Sequence, residues 1–249
     1  MSQDAIPAAT LVLVRERASG PPELLMVERA AGMAFAGGAL VFPGGRIDDE
    51  DREFAARLGL GDDGAARIAA IRETIEETAI PVAMGGIPRA EHCLELQAAL
   101  AAGQDFASLL DQAGLELDAA ALTPFARWVP KFHATRRFDT LFFVAAAPAS
   151  DREPNALTGE CTSAFWIGAA EALERERRGD AQLIFPTRRN LERLARHSSL
   201  DEILADAAAH PVEPITPWVE EVGGEKFVTI PDNLGYPVVS EKLEGLWRG

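Results

Sequence analysis

Glu73, Glu76 and Glu77 stand three and four residues apart, the offsets at which side chains share one face of an α-helix. Three carboxylates this close repel one another. A hard divalent cation relieves that repulsion, because Mg²⁺ favours oxygen ligands and keeps some of its waters. Arg72 directly precedes the trio and can hold one carboxylate in place by a bidentate contact. Alone, such a turn reads better as a solvated acidic face, so it needs a partner. Phe42-Pro43-Gly44-Gly45 supplies one. Paired glycines after a strand let backbone approach a ligand or metal closely, with carbonyls free to coordinate.

The elements that must position these residues can be read from local pattern. Residues 64–79 form the clearest helix, with Asp62 or Asp63 to cap its start and Pro81 just beyond its end. At 100° per residue Ile68, Ile71 and Ile75 make one apolar stripe, roughly opposite the glutamates. The helix is therefore expected to dock through its isoleucines and present the carboxylates on its other side. Runs at 8–15 and 23–28 read as a β-hairpin, and the run into Pro43 reads as a short strand stopped by residues that cannot continue a ladder. An acidic loop follows. Residues 91–122 read as two short helices, then come β-type runs at 125–129, 138–147 and 161–167. Helical segments are expected near 168–178 and 186–207, and an irregular tail from Pro211. With no repeat or low-complexity linker, the expectation is one domain over 1–249, with a core about 8–170, a helical insertion about 88–122 and a C-terminal extension about 171–249.

Composition narrows the class. Of the 249 residues 47% are hydrophobic and 25% charged, as in ordinary globular proteins. A net charge of -15 argues against general nucleic-acid binding, which needs a basic footprint. Cys93 and Cys161, the two cysteines, are too few for a disulfide framework. No secretory signal and no membrane span is expected, so a cytoplasmic location is.

The motif Arg72-Glu73-Thr74-Ile75-Glu76-Glu77-Thr78-Ala79-Ile80, with Gly45 upstream, resembles the box of the Nudix hydrolase superfamily. That box reads G-x5-E-x7-R-E-U-x-E-E-x-G-U, with U apolar. The resemblance implies an α/β fold, an α/β/α sandwich with a mixed sheet, in which a strand–loop–helix carries the metals. Three departures stand out. The stretch 46–71 is twice as long as the thirteen residues the box allows. The first box glutamate is displaced, falling on Asp51 counted from Gly45 and on Gly64 counted from Arg72. The last box glycine is Ala79. The long box loop, the helical insertion and the run Arg136 to Phe143 are similar to the branch of RP2-type acyl-coenzyme A diphosphatases. The coenzyme A signature found upstream of the box in other such enzymes is not clearly present.

What the resemblance implies is Mg²⁺- or Mn²⁺-dependent cleavage of a diphosphate bond in coenzyme A or an acyl-coenzyme A. Alternatives are ADP-ribose, NADH, a dinucleoside polyphosphate or a nucleotide sugar as substrate, and a Nudix-fold binding or regulatory module without turnover. Glu73, Glu76 and Glu77 would bind metal with a backbone carbonyl of Gly44 or Gly45. Glu160, six residues before Trp166, is the further acid, the alternative being an ordinary surface glutamate. Gly44, Gly45, Arg136 and Arg137 would meet the substrate phosphates, the arginines reading otherwise as a solvated turn that also holds Lys131 and His133. Asp139 reads as an arginine partner, and Phe185 to Arg189 as a helix start. The histidines have no ligand spacing. The resemblance leaves a homodimer open.

Overall fold

Along three strands, apolar side chains alternate between two cores. In β1 (Ile6–Arg15), β2 (Glu23–Arg29) and β6 (Phe138–Ala146), one set of residues faces one core: Leu11, Leu13, Leu25, Phe143 and Ala145. The intervening set, Val12, Val14, Leu24, Met26, Phe142 and Val144, faces the other. Strands buried on both faces need a cover on each side. A computed structural model, which describes residues 5–33, 36–86, 88–130, 137–150 and 152–243, shows those covers. On the first face lie α1 (Asp49–Arg57), α2 (Gly64–Thr78), α3 (Ala90–Ala101) and α4 (Phe106–Ala113). On the second lie α5 (Ala169–Arg178), α6 (Phe185–Leu194) and α7 (Leu200–Ala209). The fold is the expected α/β/α sandwich.

The sheet is mixed. Its order is β8 (Gln182–Leu183), β3 (Ala39–Val41), β2, β1, β6, β5 (Thr123–Trp128), β9 (Pro214–Ile215). β1 and β6 run parallel from Ile6↔Phe138 to Val14↔Ala146. On its other edge β1 is shared. Val14 and Arg15 pair with β2 in the expected hairpin, while Ala8, Ala9 and Thr10 pair with β4 (Gly44–Arg46). β7 (Cys161–Gly168) covers the free edge of β2. The chain therefore crosses from β2 to β1 at Phe42–Pro43, where the Pro43 carbonyl accepts from Leu11 N–H at 3.0 Å. That crossing delivers the glycine pair to the base of α2.

Several expectations need correction. Gly44 and Gly45 do not end the ladder but form a strand of their own, because β1 offers its unpaired edge. The acidic loop contains α1. Its opening Asp49, Glu50 and Asp51 suit the positive end of a helix dipole, and only Phe54 and Ala55 give it an apolar contact with the core, too little to show as periodicity. Asp63 occupies the N-cap position of α2 without capping it, since its carboxylate pairs with Arg67 at 2.7 Å. The helical stretch 186–207 is broken, with Ser199 capping α7 through Glu202 N–H. The tail is not irregular: β10 (Trp218–Val222), β11 (Glu225–Thr229) and β12 (Ser240–Lys242) form a second sheet. The Gly223-Gly224 turn between β10 and β11 is a hairpin signal. Among the described residues no helix is long and apolar enough to cross a membrane.

That second sheet is tied to α6 by buried charge. Arg189, 2% exposed, pairs with Glu241 of β12 and with Glu192 at 3.1 Å. One Glu192 oxygen is buried with no hydrogen-bond partner among the described residues. Burial first, then the charge of Glu241, push the Glu192 carboxyl up to about 7 against the pull of Arg189. A folded-state pKa above the unfolded value means that the folded chain holds an extra proton between the two. Stability from this group is therefore greatest below pH ~4.5 and falls by up to ~3 kcal/mol as pH rises through ~7. Glu192→Gln should flatten that part of the stability profile, measured by urea unfolding at pH 5 and pH 8. An unchanged slope would contradict the assignment.

Candidate active site

α2 is buried on more than the isoleucine stripe. Ile68, Ile71, Thr74 and Ile75 are inaccessible, and Glu77 is 2% exposed. Glu73 and Glu77 face β4, not open solvent. The Gly44 N–H donates to Glu77 Oε2 at 3.1 Å. A Cβ placed on Gly45 would lie 2.4–2.6 Å from the Glu73 carboxylate. The glycine bend and the acidic turn are therefore in direct contact.

Arg72 organises the neighbouring charge. Its Nε and Nη2 each donate to Asp51 at 2.9 Å, and Nη2 also to the Arg46 carbonyl at 3.1 Å. Nη1 donates to Glu73 Oε1 at 2.8 Å and lies 3.5 Å from Glu76 Oε2. The bidentate partner is thus Asp51, not a member of the trio. Asp51 is 2% exposed and also accepts the Asp48 N–H at 2.9 Å. Burial disfavours the Arg72 charge, yet the bonds and charges of Asp51 and Glu73 outweigh it and hold its pKa above the ordinary arginine value.

The carboxylates are under strain of charge. Burial pushes Glu73 up to about 7, with Arg72 pulling down and Glu76 pushing further up. Glu76 is raised by burial, against Arg72 and with the charges of Glu160 and Asp48. Glu77 is raised well above its ordinary value by burial and then by Glu73, against Arg29 and the Gly44 N–H. Three oxygen-donor groups that resist ionisation together are suited to a hard divalent cation. Among the described residues no three acidic, histidine or cysteine side chains converge as a preformed cation cluster. Glu73 and Glu76 turn towards Arg72 instead.

Arg29 was not singled out in the sequence. It ends β2 at a register shift against β7, and such bulges re-aim side chains. Its Nη1 lies 3.8 Å from Glu77 Oε1, and its buried Nε has no partner among the described residues. A charged residue closing an apolar strand was the available signal. Glu160 is exposed, and its carbonyl accepts Ala30 N–H at 2.8 Å. Its charge reaches Glu76 and Glu77. Arg137 immediately precedes β6, and the Ile6 N–H donates to its carbonyl at 2.7 Å. This is the end of β1 that carries β4. Arg136, Lys131 and His133 lie outside the described residues. Asp139 pairs with Arg127 at 2.8 and 2.7 Å, as expected. Phe185 and Pro186 start α6, also as expected.

No family model matches the chain. A solved NUDIX hydrolase from Alicyclobacillus acidocaldarius is 30% identical, with 82% of this chain and 97% of that one covered and a TM-score of 0.72. This chain belongs to the Nudix hydrolase family. It is therefore an enzyme of a family that acts on pyrophosphate bonds and generally uses divalent metal ions. This Nudix hydrolase is also 26% identical to nudix hydrolase 7 of Caenorhabditis elegans over 83% of its own length. It is 26% identical to acyl-coenzyme A diphosphatase NUDT19 of Gallus gallus over 79%. It spans 66% and 67% of those two relatives.

The two glycines should respond differently to a methyl group. At Gly44 a Cβ would meet backbone, the Ala9 carbonyl at 2.4 Å and Thr10 Cα at 2.7 Å. Gly44→Ala should therefore part β4 from β1 and destabilise by ~1–3 kcal/mol or more. At Gly45 the obstacle is the far end of the Glu73 side chain. Gly45→Ala should melt near the wild-type temperature yet lose most of its kcat, because Glu73 must swing aside. Melting curves with kcat for both variants check this; equal destabilisation would refute it.

Proposed function

We propose that this Nudix hydrolase uses Mg²⁺ or Mn²⁺ to hydrolyse the diphosphate of coenzyme A or an acyl-coenzyme A. The observation that carries the metal assignment is the packing of Glu73 and Glu77 directly against Gly45 and Gly44. The likeness to chicken acyl-coenzyme A diphosphatase supports the substrate. Glu73, Glu76, Glu77 and the Gly45 carbonyl would hold the cation. When bound, it would supply charge neutralisation at the phosphate oxygens and a lowered pKa for the attacking water.

The rest falls to the chain's own groups. Arg72 fixes Glu73 and keeps Asp51 neutralised behind it. Gly44 and Gly45 let the diphosphate approach the backbone, and Arg136 and Arg137 would take its oxygens. Water adds to one phosphorus, the anhydride P–O bond breaks, and a carboxylate accepts the water proton. Glu160 or one of the trio is that base. Acyl-coenzyme A would yield acyl-phosphopantetheine and adenosine 3′,5′-bisphosphate.

A substrate panel with Mg²⁺ or Mn²⁺, read by product mass, tests this. Acyl-coenzyme A esters should give those two products, and EDTA should stop the reaction. Cleavage of ADP-ribose, NADH, a dinucleoside polyphosphate or a nucleotide sugar, with coenzyme A esters ignored, would overturn the substrate and leave the hydrolase. Full turnover in EDTA would overturn the metal.

A further inference from the structure

The last four carbonyls of a helix have no partner within it. At the end of α2 these belong to Ile75, Glu76, Glu77 and Thr78, the turn that carries two of the three glutamates. Each accepts a bond. Ile75 takes the Ala79 N–H at 2.8 Å, within a left-handed cap. Thr78 takes the Asn155 N–H at 2.8 Å, and Glu77 takes the Leu157 N–H at 3.1 Å. Glu76 is served by a side chain from another helix: Gln97 Nε2 of α3 donates to its carbonyl at 2.9 Å.

Both N–H groups of the Gln97 amide and one acceptor position of its oxygen are used. Its second N–H donates to the Asn155 carbonyl at 2.8 Å, and its Oε1 accepts from Asn155 Nδ2 at 2.7 Å. It is 4% exposed. One carboxamide thus joins the inserted helix, the acidic turn, and the segment 155–157 that leads to Glu160. Arg152, at the head of that segment, is itself fastened to α3 through Cys93 Sγ at 2.8 Å and to the Pro88 carbonyl at 2.9 Å. A buried amide with this many bonds can be satisfied in only one orientation.

We infer that Gln97 is a positioning residue, through which the helical insertion sets the Glu76–Glu77 turn against the segment bearing Glu160. This rests on the metal-hydrolase reading above. An apolar side chain of similar length would take away the donor to the carbonyl of half-buried Glu76 and cut the tie to Asn155. The acidic turn would then be tied to that segment only by the Asn155 and Leu157 N–H groups, and less firmly set against Gly44 and Glu160.

The test compares wild type with Gln97→Met and the milder Asn155→Ala, at a temperature where all are folded. Expected for Gln97→Met are a kcat lowered 10–100-fold, a KM within twofold of wild type, and a Mn²⁺ requirement raised about tenfold. Hydrogen exchange at the Asn155 and Leu157 amides should quicken, a readout independent of turnover. Asn155→Ala should move each quantity in the same direction by less. Unchanged exchange, or faster exchange with unchanged kcat and Mn²⁺ requirement, would overturn the inference while the hydrolase reading stands. A wild-type protein that neither binds Mn²⁺ nor cleaves any diphosphate would overturn both.

Discussion

Glu77→Gln should lose turnover by on the order of 10³ or more and still melt, in EDTA, at or above the wild-type temperature. Losing a group that holds a catalytic metal removes several kcal/mol of transition-state stabilisation, and each 1.36 kcal/mol is tenfold in rate. Stability runs the other way. Burial and the charge of Glu73 already push Glu77 towards its protonated form, which a glutamine imitates. The amide oxygen can still accept the Gly44 N–H. Glu76→Gln should lose activity likewise. Calorimetry in EDTA together with kcat at saturating Mn²⁺ decides the matter. A variant within tenfold of wild type, or one that loses activity only because it unfolds, would remove Glu77 from the proposed metal site.

Arg72→Met should be the most destabilising single change near the site, at about 3–5 kcal/mol, because it strands a buried carboxylate. Asp51 would lose both charge-assisted bonds while remaining sealed from water. At roughly 2–4 °C per kcal/mol for a chain of this size, the melting temperature should fall by about 10 °C. Adding Asp51→Leu should recover much of that loss, since replacing a whole buried pair by apolar groups is often neutral or stabilising. Activity should not return, because Glu73 would still lack its Arg72 bond. Urea midpoints for wild type, single and double variants measure the coupling. A double variant no more stable than Arg72→Met would show that Asp51 is not what Arg72 holds.

Local sequence determined what repeats over three or four residues. The Ile68, Ile71 and Ile75 stripe, the shared face of Glu73, Glu76 and Glu77, and the glycine pair at 44–45 were legible because near neighbours alone dictate them. The apolar runs that become the main strands of the sheet were legible from composition and the turn formers between them. Tertiary structure decided the rest. Which carboxylate Arg72 grips, how deeply Glu77 is buried, the approach of Arg29 and the capping of α2 by Gln97 and residues 155–157 depend on contacts between residues far apart in the chain. α1 and the second sheet are not legible because their local signals, two apolar residues and one Gly-Gly turn, are weak until the core and the Arg189 network give them something to bind. The difference has one physical origin: periodicity is a property of the backbone's own geometry, whereas burial, pairing and charge depend on which distant residues the packed sheet and helices bring together.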